Sequence, residues 1–186
     1  MTFIIAIANE KGGVAKTTTT LSLGAALSEA GSRVLLIDLD TQANLTLAIG
    51  SDSGQKDEGI SRVLLDNQPL SNSVRTTPYP NLWLVTSSPA MGMAERFLPA
   101  RQSYEQTLQR AIHELPESYD YILLDCPPFL GAVTTTALAA ADLLLIPSQA
   151  EFFSVYALKN LMALVKRIRS QTNPRLTYRL LLTMVD

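Results

Sequence analysis

This chain of 186 residues is poor in the residues that redox and covalent chemistry need. Its one cysteine, Cys126, excludes an internal disulfide. It is also too few for an iron–sulfur cluster held across a two-fold axis, which would take two cysteines from each subunit. The one histidine, His113, falls late in a predicted helix, where a cation suits the helix dipole and needs no further role. No apolar run approaches the roughly 18 residues of a membrane span. The apolar run at 3–8 is too short for a signal-peptide core and has no basic leader. The expectation is a soluble cytoplasmic protein of one domain. Its 47% hydrophobic content suits a packed globule, one able to bury roughly 70% of its unfolded surface.

Acidic residues are missing from one region. Net charge is only −2, yet residues 152–185 contain no Asp or Glu. They do contain Lys159, Lys166, Arg167, Arg169, Arg175 and Arg179. The rest of the chain holds nine basic and seventeen acidic residues, a net of −8. This asymmetry points either to a polyanionic partner for the C-terminal part or to an ordinary solvated helix face.

Apolar runs alternate with helical patterns. Strands are expected at 3–8, 33–38, 82–86, 121–125, 143–147 and 178–185, several of them continuous Ile/Leu/Val runs typical of parallel strands buried on both faces. Helices are expected at 17–30, ending at Gly31, and at 61–66, 103–115, 134–141 and 154–170. In the last of these Leu158, Leu161, Val165 and Ile168 form one apolar stripe. Residues 51–59 read as a surface loop, and Trp83 as strand packing. The alternation predicts an α/β fold with a doubly wound, mostly parallel sheet flanked by helices. Ligands of such sheets bind at the carboxyl ends of the strands.

The loop after the first strand reads Asn9-Glu10-Lys11-Gly12-Gly13-Val14-Ala15-Lys16-Thr17-Thr18. Against the common phosphate-binding pattern G-x-x-x-x-G-K-[ST] it lacks both framing glycines, having Glu10 and Ala15 in their places. Gly12 and Gly13 still allow a tight turn and a close backbone approach to an anion. The amides that open the next helix carry the positive end of its dipole. Lys16 would reach the β- and γ-phosphates, Thr17 would ligate Mg²⁺ and Thr18 would donate to a phosphate. Thr19 and Thr20 read as structural. The plain alternative is a Gly-Gly turn that merely starts a helix.

Two further strand ends argue for the site. The strand before Asp38-Leu39-Asp40 ends in carboxylates at i and i+2, which share one face. They can face a metal-bound phosphate and an attacking water. The strand Tyr121-Ile122-Leu123-Leu124-Asp125 ends in a carboxylate in the Walker B manner, suited to a place beside Mg²⁺.

Four motifs occur in order: KGGVAKTT from Lys11, LLIDLDTQAN from Leu35, YDYILLDCPP from Tyr119 and LLIPSQAEFFS from Leu144. Together they resemble the ParA/Soj family of partition ATPases, which stand with MinD in the deviant Walker A group of P-loop NTPases. The resemblance covers residue 3 to the last. It implies an ATP- and Mg²⁺-dependent sandwich homodimer, slow ATP hydrolysis, non-specific DNA binding on the nucleoid and a ParB-like stimulating partner, with no membrane. The cargo would be a plasmid, a chromosome or another assembly to be segregated or positioned. Lys11 would match the signature lysine that crosses to the partner subunit's nucleotide, adding positive charge as an arginine finger does. Asp40 would orient the attacking water, Asp38 and Asp125 would lie near Mg²⁺, and Lys16 would complete the catalytic set. The cofactor contacts would be Lys11, Gly12, Gly13, Val14, Ala15, Lys16, Thr17 and Thr18, with Met184 and Asp186 on the adenine side. Glu151 would lie near the dimer interface.

The departures from the family are few. The family usually has Gly where Ala15 stands, and Ala15 is expected to be already helical, where alanine is harmless. Thr41 stands where Pro is common. Family members continue for several tens of residues past the position of Asp186, so a single domain that is a fragment or a shortened homologue is expected. Cys126 reads as a small buried residue beside Asp125. Three other readings stay open: a MinD-like membrane-associated ATPase, a metabolic ATP-using enzyme of the same fold, and a nucleotide switch that does not hydrolyse.

Overall fold

The computed structural model describes residues 2–50, 59–149 and 152–184, and of residues 152–155 the backbone. Glu151, Asp186 and most of the 51–59 loop, all singled out by the sequence, lie outside the described residues. Among the described residues seven strands form one sheet: β1 (Phe3–Ile7), β2 (Val34–Asp38), β3 (Val74–Thr76), β4 (Leu82–Val85), β5 (Tyr121–Asp125), β6 (Leu143–Gln149) and β7 (Thr177–Thr183). Their order is β3-β4-β2-β5-β1-β6-β7. All pairs are parallel except β3 with β4. This is the doubly wound sheet the alternation predicts. Short β3, an antiparallel edge, carries no strong periodic signal and was not expected.

Among the described residues seven α-helices flank the sheet: α1 (Lys16–Glu29), α2 (Asn44–Ala48), α3 (Ile60–Asp66), α4 (Met91–Phe97), α5 (Thr107–His113), α6 (Ala132–Ala140) and α7 (Phe152–Gln171). Period-2 alternation in the strands divides the core between two faces. Ile5, Ile7, Val34, Leu36, Leu82, Leu84 and Leu123 pack toward α1 and α2, with Leu21, Leu23, Leu27 and Leu45. Ala6, Leu35, Ile37, Ile122, Leu124, Leu144 and Ile146 pack with residues of α3 through α7. The close fit of α1 on β2 needs Gly24, where a Cβ would lie 2.7 Å from the Leu36 side chain. Asp38 and Asp125 have the parity of Leu36 and Leu123, so they leave their strand ends toward α1 and α2.

Several expectations shift at the edges. The expected helix at 103–115 begins as a 3₁₀ turn, Tyr104–Gln106, before α5. Helices α2 and α4 were not expected. Strand β6 continues through Pro147 to Gln149. Its pairing with β1 stops at Leu145, so on that side the proline's missing N–H breaks no ladder. Strand β7 is exposed along both faces, with Leu180 51%, Leu181 37% and Leu182 56% exposed.

Ala15 requires a correction. It is not helical: it stands outside α1 at φ 67, ψ 32, in the left-handed region. The loop needs this conformation to turn from its glycines into the helix, and Gly13 beside it is also at positive φ, +74. A Cβ in this region costs roughly 1 kcal/mol or more. Ala15→Gly should therefore raise stability by about 1 kcal/mol, or the melting temperature by roughly 2–4 °C, in a thermal melt. An unchanged or lower melting temperature would show that the chain does not hold this conformation.

Candidate active site

The loop between β1 and α1 lies at the carboxyl edge, on the strand where the sheet order turns back. No side chain caps the amides at the start of α1. Thr19 N is already bonded to the Ala15 carbonyl, 2.8 Å. A helix start without a cap is ready to receive an anion. Asn9 braces the loop. Its Nδ2 donates to the Pro147 carbonyl, 2.7 Å, and its Oδ1 accepts from the Lys11 amide, 3.0 Å.

Two lysines converge on the loop by different routes. Lys16 is only 8% exposed, and its Nζ donates to the Lys11 carbonyl, 3.2 Å. Burial pulls its pKa below the usual range, against the attraction of Asp125 and Asp40. The Lys11 Nζ donates to Gln149 Oε1, 2.9 Å. The amide of Gln149 in turn donates to the Gly13 carbonyl, 3.4 Å, and to Met184 Sδ, 2.8 Å. Met184 thus reaches the loop through Gln149, a residue quoted within a sequence motif but given no role there. Thr183 closes the same side, donating to the Val14 carbonyl, 3.3 Å. A cavity of about 580 Å³ opens here, bounded by Ala15, Thr18, Leu23, Leu181 and Met184.

The carboxylates lie opposite. Asp38 and Asp125 are paired across β2 and β5. Asp125 is 1% exposed and accepts from the hydroxyls of Thr17 and Thr20, the latter at 3.2 Å. Thr20, expected to be structural only, therefore belongs to the site. The other oxygen, Asp125 Oδ2, is buried with no hydrogen-bond partner. Burial and the neighbouring Asp38 charge push the Asp125 pKa up to about 7, against the Thr17 and Thr20 hydrogen bonds and the Lys16 charge. An orphaned buried carboxylate oxygen beside a threonine hydroxyl is a donor set suited to a hard divalent cation. A cation there would also displace the carboxyl proton near neutral pH.

Asp38 is fully buried, and burial raises its pKa against hydrogen bonds from Thr46 and the Asp40 amide. Asp40 is 9% exposed and lines a cavity of about 370 Å³ with Leu39, Met91, Glu95, Pro127 and Phe129. Glu95 is half-buried and accepts from the amides of Ala132 and Val133 at the start of α6. Cys126 is buried as expected, and burial pushes its thiol pKa up. Among the described residues no cluster of three His, Cys, Asp or Glu side chains forms an all-protein metal cage. Nor is any helix long and apolar enough to cross a membrane.

The six basic residues are all exposed, but they do not form one patch. Lys166 and Arg169 line a shallow cavity of about 350 Å³ with Met162 and Tyr178. Lys159 lies one turn or more before them on α7. Arg167 turns back to Thr135 of α6, 3.5 Å. Arg179 alternates with Tyr178 along β7 and so leaves the opposite face of the sheet, while Arg175 precedes the strand.

Comparisons with known proteins bear on the family and the fold. The AAA domain family matches residues 2–178. The sporulation initiation inhibitor protein Soj of Bacillus subtilis (strain 168) is 38% identical over 184 residues, covering 98% of this chain and 73% of Soj. The chromosome partitioning protein ParA of Caulobacter vibrioides (strain NA1000 / CB15N) is 39% identical over 188 residues, covering 98% of this chain and 70% of ParA. A solved structure of cobyrinic acid a,c-diamide synthase from Mycobacterium smegmatis, with bound ADP and magnesium, has a TM-score of 0.95 at 37% identity, covering 100% of this chain and 76% of that one.

Proposed function

Because the chain belongs to the ParA/Soj family of P-loop ATPases, we propose that it is a positioning ATPase whose ATP- and Mg²⁺-bound homodimer binds DNA non-specifically. Slow hydrolysis, stimulated by a ParB-like partner, then releases it. The observation that carries the reading is the orphaned Asp125 Oδ2, set beside Thr17 at the uncapped start of α1. Thr17 and Asp125, with Asp38 next to it, would hold Mg²⁺, which would supply charge neutralisation for the phosphates.

The chain's own groups account for the remaining steps. The loop amides from Gly12 to Thr18 and the Lys16 ammonium bind the phosphates. Asp40 orients the attacking water for in-line displacement. Catalysis is mainly positioning and charge, made stronger by the low exposure of the site. Lys11, now held by Gln149, serves the partner subunit's nucleotide. The cavity beside Ala15 and Met184 is the place for the adenine. The protein would act in the cytoplasm, on the nucleoid.

DNA contact rests on Lys166 and Arg169, the two cations that share a surface, with Lys159 on the same helix. Non-specific binding needs only such charge, doubled in a dimer. Sedimentation with DNA, or with lipid vesicles, in ATP tests the reading. Wild type should sediment with DNA and not with vesicles. Lys166→Glu with Arg169→Glu should abolish most DNA retention at about 0.1 M salt and flatten its salt slope. Unchanged retention would remove this patch, and vesicle binding instead would favour the MinD-like reading.

The metabolic reading, suggested by the name of the Mycobacterium smegmatis protein, needs an acceptor site beyond the γ-phosphate. The cavity beside Asp40 has the right place. Its lining includes the carboxylates of Asp40 and Glu95 and no basic residue, which suits an acid substrate poorly.

A further inference from the structure

We propose that Thr46, braced by Ser87, is the positioning residue that fixes Asp40 for catalysis. This rests on the reading that Asp40 orients the attacking water. Four residues from three elements close a ring. At the end of β2, Asp38 Oδ2 accepts from both the amide and the hydroxyl of Thr46 in α2, 2.9 and 2.7 Å. The Thr46 hydroxyl oxygen accepts in turn from the Ser87 amide just past β4, 3.0 Å. The Ser87 hydroxyl donates to the Asp40 carbonyl, 2.6 Å. The Asp40 amide returns to Asp38 Oδ1, 3.1 Å, and the ring is complete.

Burial gives this ring its force. Asp38 and Thr46 are 0% exposed and Ser87 is 2% exposed. Each bond replaces one that water cannot supply, and breaking one leaves a buried donor or charge unpaired. The ring also redefines Asp38. Its Oδ2 is taken up by two donors, so only Oδ1 has capacity to face a cation site. Half of this carboxylate works on the loop that carries Asp40.

Asp40 is thereby held at its amide by Asp38 and at its carbonyl by Ser87 and the Ala43 amide, 3.0 Å. Its Oδ1 accepts from the Gln42 amide, 3.0 Å. None of the loop residues from Lys11 to Thr18 takes part in the ring. Asp38 joins the ring to the proposed Mg²⁺ site through Oδ1, the oxygen that Thr46 does not touch, so a change at Thr46 should lower turnover far more than affinity.

The test compares Thr46→Val, which keeps the volume and removes the hydroxyl, with Thr46→Ser, which keeps the hydroxyl. Two quantities are read in Mg²⁺: kcat for phosphate release, and Kd for a fluorescent ATP analogue. A misplacement of the order of 1 Å predicts a fall in kcat of about 10–100-fold for Thr46→Val, with Kd within about threefold of wild type. Thr46→Ser should recover kcat to within about threefold, and Ser87→Ala should reproduce the loss. Wild-type kcat in Thr46→Val overturns the proposal. So does a joint loss of kcat and affinity, or a serine variant no better than valine. If wild type hydrolyses no ATP, the ATPase reading falls first and the proposal with it. If wild type is active and Asp40→Ala is equally active, the role of Asp40 falls instead.

Discussion

Lys16→Ala is expected to lose about 10²–10³-fold in ATP turnover, together with much of the protein's ATP affinity. The ammonium is buried at the start of α1 and attracted by both Asp125 and Asp40. The other lysine of the loop, Lys11, has its amine on Gln149. Without Lys16 the site keeps three carboxylates, Asp38, Asp40 and Asp125, facing a polyanionic ligand. Asp125 would also lose one of the influences that keep its pKa from rising further. A proton bound more tightly there competes more strongly with a divalent cation. The variant should thus need more Mg²⁺ as well as more ATP. Phosphate release, and binding of a fluorescent ATP analogue titrated against Mg²⁺, measure both effects. Wild-type hydrolysis in Lys16→Ala would sink the mechanism and leave a nucleotide switch of another kind.

The lysine was legible in the sequence because chemistry and chain order coincide there. A buried strand, a glycine turn and a Lys-Thr helix start occupy adjacent positions, and each has a local physical reason. The same holds for Asp38 and Asp125, which end strands that the apolar runs locate correctly, and for Asp40 two residues past β2. Ala15 was misread because a loop residue's φ depends on where the chain must go next, not on its own identity. Gln149, Thr46, Ser87 and Thr20 were missed for a related reason. Each acts through a partner distant in the chain: Gln149 lies 138 residues from Lys11, Thr20 lies 105 from Asp125 and Ser87 lies 41 from Thr46. Short polar residues have no periodic signature, and only the fold shows what they touch. The basic residues are a different case. Their composition was read correctly, but the alternation of β7 and the turn of Arg167 toward α6 scatter charges that a linear count groups together.

Asp40→Ala should give the opposite pattern to Lys16→Ala, with ATP still bound and the reaction arrested. General-base contributions of this kind are about 10²–10⁴-fold, and Asp40 acts on the phosphate loop as the lesser of the carboxylate charges attracting Lys16. Its carboxylate lines the cavity of about 370 Å³, where a water can approach, and its Oδ1 is steadied by the Gln42 amide. Asp40→Asn keeps the shape and the loop contacts, so an equal loss in that variant assigns the effect to charge rather than to loop collapse. The arrested protein then tests the order of the cycle. If ATP binding drives dimerisation and hydrolysis releases DNA, Asp40→Ala should accumulate as an ATP-bound dimer on DNA, while Lys16→Ala should stay off it. Sedimentation with DNA in ATP, read beside the molar mass in solution, separates the two variants. Should Asp40→Ala fail to bind DNA while it still binds ATP, hydrolysis would be the step that loads DNA, and the proposed direction of the cycle would be reversed.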